Sequence, residues 1–207
     1  VVDHGGRATL CSLGSAVPHA AGEHGVADDL EQLRRLIDRL ASYAEYHRDR
    51  RNIATHFVGI PMILVGTQAA LARIGVGPVN AAAGATALAA RYYRAIDPTY
   101  GAAMAAVLGA TCALGTGIGM LPLPAWAGAT AGLLIGGWAI QFLGHAFEGR
   151  KPAFLDDLRG LLDGPLFLVA EVAFAVGLSP ELKAEVERRA GPTRWGKVAT
   201  TAVASAA

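Results

Sequence analysis

Charge is what this sequence has least of. Only 17% of its 207 residues are charged, whereas 53% are hydrophobic; an ordinary soluble domain carries about 25% charge. The charges are also segregated. Residues 28–51, 150–163 and 181–197 are dense in them, and long apolar runs lie between. That pattern excludes a typical soluble globule and predicts lipid-embedded helices joined by wet segments. With a net charge of +1 and no basic stripe interleaved with aromatics, nucleic acid is excluded as a partner. Cysteine is scarce too. Cys11 and Cys112 stand far apart and no CxxC occurs, which removes zinc knuckles and a disulfide framework. HExxH, GxSxG and a phosphate-cradling glycine loop ending in lysine are all missing.

What is present reads as an all-α polytopic membrane bundle. About four to five embedded helices are expected, preceded by an amphipathic helix. Residues 1–27 read as a disordered leader, 28–180 as one membrane-embedded domain, and 181–207 as a soluble helix with a disordered tail. The amphipathic helix spans about 28–51, because Leu30, Leu33, Leu36, Ile37, Leu40, Ala44 and His47 recur at helical spacing. It packs on its own protein, lies on an anionic membrane surface, or does both.

Embedded segments are expected at 57–74, 102–121, 125–143 and 164–178, with a weaker one at 79–96. The run 164–178 is short and carries Glu171 in its middle, which favours a re-entrant or interfacial helix over a full crossing. Glycines crowd these runs and predict close helix packing. Alternating spans put the basic clusters 48–51, 91–94 and 150–159 on one side, the cytoplasmic one by the positive-inside rule. The Ala-, Gly- and Arg-rich composition suggests a bacterial cytoplasmic membrane.

Six histidines occur. His4, His19 and His24 fall in the leader. His47 and His56 stand before the first span and His145 ends the fourth, so all three reach one membrane face. Glu148 lies one turn beyond His145 on the same side of the helix. Three imidazoles and a carboxylate at one depth suit a divalent transition metal, and histidines with a carboxylate and open positions suit non-haem Fe(II). The competing interpretation is that histidines at helix ends cap carbonyls. His47 and His56 are nine residues apart, which an unbroken helix would turn to nearly opposite faces. A shared metal therefore requires a break, and Asn52 is the candidate to cap a fresh helix.

The residues around these histidines form two motifs. The first is YH-x4-N-x3-H-x2-G-x-P over Tyr46, His47, Asn52, His56, Gly59 and Pro61. The second runs Gly137, Trp138, Gln141, Phe142, Gly144, His145 and Glu148, followed by Lys151-Pro152-Ala153, Asp156, Leu158, Pro165 and Glu171. Together they resemble the membrane 2-hydroxy fatty acid dioxygenase family (Mpo-like) over about residues 36–178. The resemblance implies an Fe(II)-dependent enzyme that consumes O2 and converts long-chain 2-hydroxy fatty acids to acids one carbon shorter. It places the iron-binding histidines at His47, His56 and His145, with Glu148 as the candidate carboxylate. Tyr46, Asn52, Gln141 and Glu171 are then expected to orient ligands from behind. A 2-hydroxy acid can chelate iron through its carboxylate and hydroxyl while its chain stays among membrane lipid. Arg50, Arg51, Arg150 and Lys151 either attract that carboxylate or simply flank the spans. A rival outside catalysis is a membrane protein that binds or scaffolds lipid.

Overall fold

The structure, a computed structural model, describes residues 23–76 and 79–196. The leader expected up to residue 27 and the tail fall largely outside these residues, although a helix already begins at Glu23. Seven α-helices are described: α1 (Glu23–Ala44), α2 (Arg50–Leu71), α3 (Ala81–Ile96), α4 (Pro98–Gly119), α5 (Leu123–Glu148), α6 (Gly160–Ala175) and α7 (Pro180–Ala190). A two-residue strand pair, Gly75–Val76 with Val79–Asn80, links α2 to α3.

Helices α2, α4 and α5 are long and apolar enough to cross a membrane. Helices α3 and α6 have 16 residues each, about 24 Å at 1.5 Å per residue, which is short of a hydrocarbon core of roughly 30 Å. Of the expected four to five embedded helices, three are of spanning length among the described residues. The first span also stops at Leu71 rather than residue 74. Arg73 lies beyond it, donating to the carbonyls of Gly119 and Leu121 and stacking on Trp126. A guanidinium satisfies the orphan carbonyls at the end of α4.

Glycines set how closely the helices approach. Gly59 and Gly66 of α2 and Gly137 and Gly144 of α5 line the antiparallel contact between the two helices. A Cβ on Gly59 would lie 2.9 Å from the Gly137 carbonyl, one on Gly66 would press on Leu133 and Leu134, and one on Gly144 would lie 2.5 Å from Asn52 Oδ1. The same device joins α4 to its neighbours: a Cβ on Gly101 would strike the Arg94 backbone, and one on Gly115 would strike Gln68 and Ala69. Where lipid supplies no hydrophobic push, such backbone approach is what binds helices. Helices α2 to α5 consequently run up and down in turn, and the start of α2 meets the end of α5.

The amphipathic helix packs on its own protein. Leu36, Ile37, Leu40 and Tyr43 are buried with Leu166 and Phe167 of α6 and with Leu182 and Val186 of α7. It ends earlier than expected, at Ala44, and residues 45–49 form a break before α2. The residue that caps α2 is Asp49, not Asn52; its side chain accepts from the Arg51 amide. Aspartate at this position satisfies an orphan donor and lies near the positive end of the helix. Arg48, the first residue of the basic cluster 48–51, is buried in the break. Its Nε donates to the carbonyls of Ala44 and His47 at 2.6 and 3.1 Å.

Candidate metal centre

The break and the α2–α5 packing bring three imidazoles together. His47 comes from the break, His56 from the second turn of α2 and His145 from the last turn of α5. Each offers one ring nitrogen within 4.8 Å of one from each of the others, and all three residues are buried. Ring centroids are 4.5 Å apart for His47 and His56, and 5.0 Å for each of the other two pairs.

The hydrogen bonds behind the rings determine what they present. His47 Nδ1 lies 2.7 Å from the Tyr43 carbonyl, and His56 Nδ1 lies 2.9 Å from the Asn52 carbonyl. A carbonyl oxygen only accepts, so each Nδ1 carries the proton and each neutral ring keeps its lone pair on Nε2. Those two Nε2 atoms face each other at 3.0 Å. The contact is a hydrogen bond only if one ring is doubly protonated. Burial opposes that, holding His47 well below the ordinary imidazole range, with His56 beside it acting in the same direction. Two lone pairs converging at this distance repel unless a cation lies between them. His145 Nδ1 is buried with no hydrogen-bond partner. Three imidazole donors with two fixed tautomers and an orphaned third fit a divalent transition metal. His47 does cap α1 through Nδ1, yet the same bond frees Nε2 for the site.

Tyr43 stacks on His47 with centroids 4.0 Å apart and rings 7° from parallel, and Phe167 lies against both. This aromatic wall fixes the imidazole that comes from irregular backbone.

Glu148 is not brought into the cluster. Its Oε2 accepts from the Asp49 amide at 2.8 Å and from Asn52 Nδ2 at 3.1 Å, and its Oε1 pairs with Arg194 at 3.6 Å. The carboxylate ties the end of α5 to the break. Asn52 works from the same node, donating also to the Tyr46 carbonyl at 3.2 Å and accepting from His56. Tyr46 turns outward: its hydroxyl donates to Asp156 at 2.9 Å. Among the described residues, no hydrogen bond or ion pair joins Glu171 to a histidine. Burial raises its carboxyl above the usual range while Arg48 opposes the shift. Gln141, one turn before His145, is buried and makes no hydrogen bond to any of the rings.

Three of the four basic residues that could draw in an anion are engaged. Arg51 pairs with Asp49 at 2.6 Å, Arg150 stacks on Tyr46, and Lys151 pairs with Asp156. Sequence reasoning missed Arg194, whose only signal was charge in a segment read as a soluble end. Its amide donates to the Arg48 carbonyl and its carbonyl accepts from the Arg50 amide, both at 2.8 Å. Residues 191–196 thereby strap the break from outside.

A cavity of about 460 Å³ opens from the triad. His56, His145, Gln141 and Tyr43 line one end; Ile60, Leu64, Leu71, Ala89, Leu108 and Trp138 line much of the rest. That volume lies within the range of small-molecule sites, roughly 300–1,000 Å³. From His56 to Leu71 it follows fifteen residues of α2, about 22 Å of helix, so it is long and mostly apolar, with polar side chains at the triad and again at Thr67, Gln68 and Thr86.

The sequence model of the family described as "2-hydroxy-palmitic acid dioxygenase Mpo1-like" matches residues 33–176. The chain is 29% identical over 162 residues to the 2-hydroxy-palmitic acid dioxygenase MPO1 of Saccharomyces cerevisiae, covering 76% of this chain and 90% of that protein. No solved structure matches.

Proposed function

The chain belongs to the Mpo1-like family, and from that premise we propose that it is an Fe(II)-dependent dioxygenase of long-chain 2-hydroxy fatty acids. The reaction balances when the 2-hydroxy acid and O2 give an acid one carbon shorter, CO2 and water. The observation that carries the reading is the buried triad at one end of an elongated, mostly apolar cavity. Iron held there supplies the redox chemistry that couples O2 to loss of the carboxyl carbon.

The chain's own residues do the rest. His47, His56 and His145 are the ligands. The carbonyls of Tyr43 and Asn52 hold two of them in the tautomer that points Nε2 inward. Glu148 and Asn52 hold the break against α5. The wall of Ile60, Leu64, Ala89 and Leu108 takes the acyl chain and keeps bulk water from the triad. Helices α2, α4 and α5 cross the membrane, and the triad sits at its basic face, the cytoplasmic one by the positive-inside rule. Lipid-dissolved substrate then reaches the site without leaving the bilayer.

The test is O2 uptake and product analysis of detergent-purified protein given Fe(II) and 2-hydroxypalmitate under air. The expected result is oxygen uptake with a fatty acid of 15 carbons, about one per O2 by the balance above. Folded, iron-loaded protein that consumes no O2 and leaves the acid intact would move the function to lipid binding.

A further inference from the structure

Gln141 has no structural use for its carboxamide. The residue is 8% exposed and lines the cavity beside His56 and His145, and its Oε1 is buried with no hydrogen-bond partner. A buried amide without a partner costs about 1–3 kcal/mol; a leucine or methionine would pack there without that cost. Gly59 of α2 lies against it: a Cβ there would stand 3.1 Å from both Cγ and Oε1 of Gln141, and 2.9 Å from the Gly137 carbonyl. The expectation that Gln141 orients a histidine finds no support, since the two fixed rings are held by backbone carbonyls.

We propose that the Gln141 carboxamide hydrogen-bonds the 2-hydroxyl of the substrate and is the residue that distinguishes 2-hydroxy acids from unsubstituted ones. The inference rests on the functional reading above. A carboxylate has lone pairs but no proton to give, whereas a hydroxyl both donates and accepts. A carboxamide can therefore serve a hydroxyl whichever of its two polar atoms faces the cavity. One turn of helix separates Gln141 from His145, so a head group meeting the triad stands within reach of the amide. An acid without the hydroxyl leaves the amide unsatisfied, and such an unpaired group is how a site rejects an analogue lacking one hydroxyl.

The experiment is equilibrium binding of 2-hydroxypalmitate and of palmitate, by displacement of a fluorescent fatty acid from detergent-purified protein, with and without Co(II). Measuring the metal-free protein separates the amide from chelation. Wild type is expected to prefer the hydroxy acid in both states. Gln141→Met is expected to keep full Co(II) binding and its affinity for palmitate, and to lose about tenfold in affinity for 2-hydroxypalmitate without metal. Gln141→Glu, whose charge faces the substrate carboxylate, is expected to weaken both acids. If Gln141→Met keeps the wild-type preference, or Gln141→Glu binds both acids as wild type does, the assignment of Gln141 fails and the dioxygenase reading stands. If wild type shows no preference in either state, both fail together.

Discussion

Replacing Gly144 by alanine adds one methyl group where α5 meets the start of α2. Its Cβ would lie 2.5 Å from Asn52 Oδ1 and 3.3 Å from the Asn52 carbonyl, and would also strike Thr55 Oγ1. None of these can swing clear cheaply. The Thr55 hydroxyl donates to the Asn52 carbonyl at 2.7 Å, that carbonyl holds His56, and Asn52 Nδ2 is shared between Tyr46 and Glu148. Helix α5 must move instead. Overpacking of this kind costs about 1–3 kcal/mol, offset by up to about 1 kcal/mol because alanine favours helix over glycine. The loss of metal affinity should be larger. Moving α5 carries His145 away from His47 and His56, and disturbing the residues behind metal ligands costs about 10–100-fold. Gly132→Ala is the control, since its Cβ would meet nothing within 4 Å; it should be neutral or slightly stabilising and bind metal normally. The assay is Co(II) titration against a competing chelator, alongside thermal unfolding in detergent. A Gly144→Ala protein that binds Co(II) as tightly as the Gly132→Ala control would refute the claim that this contact sets the triad.

Ending the chain at Ala190 removes the bonds from residues 191–194 to Arg48, Arg50 and Glu148; metal affinity should fall about tenfold and hydrogen exchange at residues 45–49 should rise. Unchanged exchange there would deny the strap its role. Ala89→Phe fills the middle of the cavity and should weaken long 2-hydroxy acids about tenfold while sparing short ones; equal loss for all lengths would place the chain elsewhere. Tyr46→Phe loses only a bond to exposed Asp156, so stability should change by less than about 1 kcal/mol and metal content not at all. Loss of metal in that variant would restore Tyr46 as a ligand-orienting group.

Much of this organisation was legible because it follows from periods and compositions. Apolar runs located α2, α4 and α5, and alternating direction placed His47, His56 and His145 at one end. The requirement for a break between His47 and His56 was also readable from helix geometry. What capped the new helix was not: Asp49 and Asn52 are both good capping residues, and only tertiary contacts decide between them. Where the Glu148 carboxylate points was not legible for a related reason. Its i, i+3 relation to His145 puts it on the correct side of α5, but the Asp49 amide and Arg194 compete for its oxygens, and Arg194 lies 46 positions away along the chain. The role of Arg73 depends on which carbonyls are left unpaired at a distant helix end, and that of Arg194 on how a distant break folds, and no local pattern records either.

The central claim is that the three histidines form a metal seat. Its most direct test is iron content after anaerobic loading with Fe(II) and removal of loose metal, comparing wild type with the His47→Ala, His56→Ala and His145→Ala single variants. All four proteins must be shown to be membrane-inserted and folded. Wild type should retain about one iron per chain and each variant little or none, because a buried set of three donors cannot hold the ion with two. Iron retained equally by all four would contradict the account.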